Sequence, residues 1–179
     1  MLFSKETYMA RRQALSQRIQ SGLIVLMGNN LSPVNYPANA YRFRQDSSFL
    51  YYFGQHREGL VGVIDTDEGK EWLIGDDIDI EDIVWFGSVD SVADMAAQSG
   101  VENSAPMAKL KELIDKTVAQ GRKVHFLPPY RHDLMIQLMD LTGIHPSEQR
   151  AKVVYEYLYR QIHDKKVRDT IDFLLNREE

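Results

Sequence analysis

The chain has 179 residues, 44% hydrophobic and 26% charged, with a formal net charge of −5 and no cysteine. This is the composition of an ordinary globular protein of about one domain, able to bury roughly 70% of its unfolded surface. It excludes disulfides, thiolate metal sites and thiol nucleophiles, and the acid excess argues against a general affinity for nucleic acid or anionic membranes.

Residues 4–21 predict a helix with Ser4 as N-cap, Glu6 in the first turn, and Tyr8, Leu15 and Ile19 on one buried face. Arg11, Arg12 and Arg18 are then expected to face water, and Gly22 to close the helix. The apolar run Leu23-Ile24-Val25-Leu26-Met27 reads as a central strand. Gly28 ends it without a Gly-Lys-Ser/Thr sequence to make a phosphate loop. Residues 31–40 are loop-like, with Pro33 and Pro37 among the turn formers.

The loop delivers the chain to Tyr41-Arg42-Phe43-Arg44-Gln45-Asp46-Ser47-Ser48-Phe49-Leu50-Tyr51-Tyr52-Phe53-Gly54, where polar side chains crowd against rings. Residues 49–53 are all aromatic or leucine, which suits a short strand buried on both faces. Arg44 and Asp46 are expected to pin the preceding turn by hydrogen bonds to nearby backbone.

A second buried strand is expected from Leu60 to Asp65, with a tight turn at residues 67–70 and a hairpin partner in Glu71-Trp72-Leu73-Ile74-Gly75. Asp76, Asp77, Asp79, Glu81 and Asp82 form an acidic run, but isoleucines interrupt it and no central glycine completes a calcium loop. Carboxylates at a helix N-terminus, with Asp79 capping a short turn, explain the run better. The segment Val84-Trp85-Phe86-Gly87 follows.

Two helices come next. The first ends at Gly100, is capped by Asp90 or Ser91, and buries Val92, Met95 and Ala96; the second starts near Pro106, buries Leu110, Leu113, Ile114 and Val118, and stops at Gly121. A strand over residues 123–127 and a helix over 132–142 lead to a final stretch. From Ser147 on, Val154, Tyr157, Leu158, Ile162, Val167, Ile171 and Leu174 recur among charges, which suits one long or broken helix. Strands and helices so mixed predict a mixed sheet with helices on both faces.

The residues suggest no self-contained active site. The five histidines form no helical pair, no serine sits in a nucleophile elbow, and no carboxylate pair stands out. No apolar run approaches the roughly 18 residues that span a bilayer. The N-terminal residues lack the order of a signal peptide, so a cytoplasmic protein is expected.

The stretch 41–54, the segment Ile83-Val84-Trp85-Phe86-Gly87 and the early Arg11-Arg12-Gln13-Ala14-Leu15 together resemble the N-terminal domain of Xaa-Pro aminopeptidase, of the creatinase/prolidase group. The resemblance covers roughly residues 3–145. It implies a three-layer α/β/α domain with a mixed sheet, ribonuclease H-like, over residues 1–146. Residues 147–179 would be a helical segment leading to a catalytic domain that this sequence does not include, although Arg160-Gln161-Ile162 with Lys165-Lys166 fits the family's connecting segment only in part.

That absent domain would carry two divalent metals, manganese in most relatives, so no catalytic or metal-binding residue is assigned here. The resemblance further implies contacts within a homo-oligomer and with the catalytic domain and a peptide substrate with proline second, while the charge and the lack of a spanning run lead to the expectation of no nucleic-acid or membrane partner. Trp85 would wall the substrate pocket of a neighbouring subunit. Arg44, Gln45, Asp46 and Ser47 would be a structural signature. The alternative is a free-standing peptide- or protein-binding domain without a catalytic partner.

Overall fold

Ser4 precedes the first helix, α1 (Lys5–Ile19), which ends at Gln20 with a positive φ of 66°. The structure is a computed structural model and describes residues 2–78, 87 and 89–143. Trp85, Asp79 and the stretch from 144 onward lie outside the described residues, as does the expected boundary at residue 146. The chain divides into two compact units, Met1–Leu127 and Pro128–Glu179.

The first unit is built on a five-stranded mixed sheet. Its strands are β1 (Leu23–Met27), β4 (Val61–Asp65), β5 (Lys70–Ile74), β6 (Asn103–Ala105) and β7 (Val124–Phe126), in the spatial order β6-β5-β4-β1-β7. β4 runs antiparallel to both β1 and β5, with Val25 opposite Val63 and Val63 opposite Trp72, whereas β6 and β7 join the two edges in parallel. A separate ribbon, β2 (Pro33–Tyr36) with β3 (Asn39–Ala40), occupies part of the segment expected to be loop. All four residues of β2 are exposed, so no buried pattern in the sequence announces it.

One face of the sheet presents Ile24, Leu26, Ile64 and Leu73 to Phe49, Phe53, Val92, Met95 and Ala96 of the helices above. Val25, Val63 and Ile74 point to the other face and are equally buried, so both faces are covered. The helices above the first face are α1, α2 (Ser47–Phe53) and α3 (Val92–Ser99). α4 (Ala108–Ala119) turns Leu110, Leu113, Ile114 and Thr117 inward. This is the α/β fold expected, with the mixed sheet between helical layers.

The sequence expectations hold for the hairpin and for the helices after it. Ser91 caps α3 with a reciprocal box to Asp94, and Gly100 closes the helix in the left-handed region. The acidic run contributes as helix-end carboxylates, but to helices further along the chain: Asp77 accepts from Val92 N at 2.7 Å and Asp76 from Met107 N at 2.9 Å. Val118, expected to be buried, is 61% exposed. Thr117 takes the inward position and donates its hydroxyl hydrogen bond to Leu113 O, which hides its polar group within the helix. In the second unit, α5 (His132–Thr142) buries Leu134 and Leu138 and ends at Gly143.

Two further expectations are overturned. Residues 49–53 are not a strand but most of α2. Asp46 caps that helix, and Phe49 and Phe53, four residues apart, fall on one face with their rings stacked at 5.4 Å. A short apolar run does not distinguish the two structures by pattern alone. Arg12, expected in water, is completely buried. With Tyr8, one turn earlier, it forms the buried stripe of α1.

Candidate functional site

The turn carrying Arg44, Gln45, Asp46 and Ser47 lies where β1 ends and α2 begins. Gln45 is 2% exposed and uses both ends of its amide. Its Oε1 accepts from Asn29 N at 2.6 Å and from Asp46 N at 2.8 Å, while its Nε2 donates to Arg57 O at 2.7 Å. One side chain thereby ties the end of β1, the start of α2 and the loop before β4. Asn29 reinforces the tie by donating from Nδ2 to Arg44 O at 2.9 Å.

Gly28 makes room for this arrangement. A Cβ there would stand 2.6 Å from Leu60 O and 3.0 Å from Gln45 Nε2.

Asp46 accepts from Ser48 N at 2.8 Å and Phe49 N at 2.9 Å, satisfying two of the free amides of the first turn of α2. Both Gln45 and Asp46 are thus occupied by backbone, as expected of a pinned turn. Arg44 departs from that expectation. Its carbonyl is used, but its side chain is exposed and has no ion-pair partner among the described residues. Ser47, the first residue of α2, is also exposed.

The other end of α2 is held by Arg12. Its Nη1 donates to Tyr52 O at 2.9 Å, its Nη2 to Ser99 O at 3.1 Å and Gly100 O at 3.2 Å, and its Nε to Glu71 Oε2 at 2.7 Å. The guanidinium places positive charge at the C-termini of α2 and α3 together, where the helix dipoles favour a cation. Gln55 completes the joint by donating to Met95 O and Ser99 Oγ, both at 2.9 Å. The neighbouring Arg11 is spread over rings, 4.1 Å from Tyr51 and 4.5 Å from Phe3, and borders a groove of about 620 Å³ between α1 and α2.

A third polar cluster fastens the far ends of β1 and β4. Arg122 donates from Nε to Asp67 at 2.8 Å and from Nη1 to Asp65 at 3.1 Å, while Gly22 N and Ser21 Oγ donate to Asp67 at 2.8 and 2.9 Å. Asp67 is held below the usual carboxylate range, chiefly by the Gly22 amide, then by Ser21 and Arg122. Asp65, then Asp67, raises Arg122 above its ordinary value against the opposing effect of burial.

In these clusters the hydroxyl set beside a carboxylate, Ser21 Oγ on Asp67, shares that carboxylate with Gly22 N and Arg122 as part of a structural joint. Among the described residues no group of three His, Cys, Asp or Glu is placed to hold a metal ion, and no helix is long and apolar enough to cross a membrane. The structure brings Gln45 and Asp46 together as joints, leaves Arg44 and Ser47 at the surface, and does not describe Trp85. Sequence reasoning missed the Arg12 joint; a tandem arginine four residues after a buried tyrosine is its only trace.

A model of the family described as aminopeptidase P, N-terminal domain, matches residues 8–125. The chain belongs to that family. Mitochondrial intermediate cleaving peptidase 55 of Arabidopsis thaliana is 26% identical over 121 residues, covering 66% of this chain and 24% of the relative. The structure of Pseudomonas aeruginosa aminopeptidase PepP shares the fold with a TM-score of 0.66 at 23% identity, over 83% of this chain and 34% of that one. The chain therefore spans about a quarter to a third of the length of these two proteins. A different kind of protein, the "Probable manganese catalase" of Clostridium acetobutylicum, is 80% identical over 40 residues, 22% of this chain and 18% of the relative.

Proposed function

We propose that the family domain of this chain is a non-catalytic part of a metal-dependent Xaa-Pro aminopeptidase, a hydrolase that removes the N-terminal residue preceding proline. The observation carrying this reading is that Gln45 and Asp46 spend their hydrogen bonds on backbone within the fold. Gln45 and Asp46 are therefore scaffold joints of the fold rather than groups presented to a reacting substrate. The chemistry belongs to a catalytic portion that would carry two divalent metals, manganese by the family resemblance. The domain would act in the cytoplasm, contributing contacts in a homo-oligomer, and Trp85 would offer a ring against the substrate of a neighbouring subunit.

Incubating the purified, folded chain with manganese and an Xaa-Pro peptide tests the reading. It expects no hydrolysis, and a rate comparable with full-length aminopeptidase P proteins overturns it.

A second reading is favoured by one specific observation. The forty residues that are 80% identical to a manganese catalase match a protein unrelated in name to any peptidase. On this reading the domain binds peptides or proteins without a peptidase catalytic partner in the same polypeptide.

A further inference from the structure

We infer that the chain is composite: after the aminopeptidase P-type unit comes a segment of a manganese-catalase-type protein, and the domain's partner in the same polypeptide is the remainder of such a protein. This inference rests on the second reading above.

The first argument is position. The family match occupies residues 8–125, so only residues 126–179 leave room for a separate block of 40 residues. The compact first unit ends at Leu127, two residues beyond the family match, and Pro128-Pro129 follows. Consecutive prolines make a stiff spacer between elements. The family-model match and the first compact unit thus end within two residues of each other.

The second argument is divergence. The chain is 26% identical to intermediate cleaving peptidase 55 over 121 residues, but 80% identical to the catalase over its block. Such a gap, toward proteins of different names, fits two stretches of separate origin.

The third argument is chemical. Val154, Tyr157, Leu158, Ile162, Val167, Ile171 and Leu174 are spaced for one apolar face among charges. Forty residues are too few to bury such a face by themselves. With the block placed after the family match, most of these side chains would be shared with a protein of which the block is only 18%, and the surface they are shaped for would lie in the other four-fifths. The partial fit of residues 160–166 to the peptidase connecting segment has the same explanation, because that stretch is no peptidase connection.

Sequencing the transcript from the source organism past codon 179, with the intact mass of the native product as a check on the reading frame, tests the inference. The frame is expected to continue in manganese-catalase-type sequence directly after the matched block. A peptidase catalytic sequence there overturns the inference and returns the first reading; a stop after Glu179 also overturns it, since no partner then follows. The peptide-hydrolysis assay is independent of this result, so the two readings fail separately.

Discussion

Arg12 on α1 and Glu71 on β5 form a 2.7 Å ion pair in which the arginine side chain is fully buried and the glutamate is 25% exposed. The remaining donors of Arg12 cap α2 and α3, so this contact sets where three helices meet the sheet. Removing one partner of a buried pair costs about 3–5 kcal/mol because the other charge is left without compensation. Arg12→Met is expected to lower the stability of the chain by about that much in urea unfolding. Arg12→Lys keeps the charge but cannot reproduce the planar fork, and should recover less than half of the loss.

Gly62 and Phe53 are matched in shape. A Cβ on Gly62 would lie 2.0 Å from Phe53 Cε2, far inside contact distance, and Phe53 is itself fully buried. Gly62→Ala is therefore expected to destabilise by about 1–3 kcal/mol through overpacking. Combining it with Phe53→Leu should restore part of the loss. A double-mutant cycle by thermal unfolding measures the coupling, and strictly additive effects would contradict the clash.

Stability should fall in acid through Asp67. Its folded-state pKa is depressed below the ordinary 3.8, so its contribution is complete above that value and is lost as pH drops below 3.8 toward the folded-state value. Asp67→Asn removes the titrating group, and the variant's unfolding midpoint should vary less between pH 4 and pH 2 than the parent's, on the order of the window set by a depressed carboxylate. Glu68, lowered by Lys116 and then Lys70, adds to the same acid sensitivity.

Much of the fold was legible because burial imposed a pattern. β1 and β4 are continuous apolar runs, and Ser91 and Gly100 mark α3 at both ends. The pattern failed where side chains serve purposes other than burial of apolar surface. α2 is so short and ring-rich that both of its visible faces look apolar, and only the Asp46 cap and the spacing of Phe49 and Phe53 separate a helix from a strand. Arg12 was misread because a charge is normally left in water. Its acceptors, three carbonyls and the Glu71 carboxylate, are brought from up to 88 residues away, which local sequence does not encode. The scaffold role of the signature was legible for Asp46, an N-cap by residue type, but not for Gln45, whose three partners converge only in the folded chain.

The central claim is that Gln45 and Asp46, within the 44–47 turn, are a folding joint. Comparing equilibrium unfolding of Gln45→Ala and Arg44→Ala in the full chain tests it most directly. Truncating Gln45 leaves the buried Asn29 amide without its acceptor, a cost of about 2 kcal/mol. Arg44→Ala, at an exposed side chain, should stay within about 0.5 kcal/mol of the parent. Equal stability of the Gln45 variant and the parent would contradict the account.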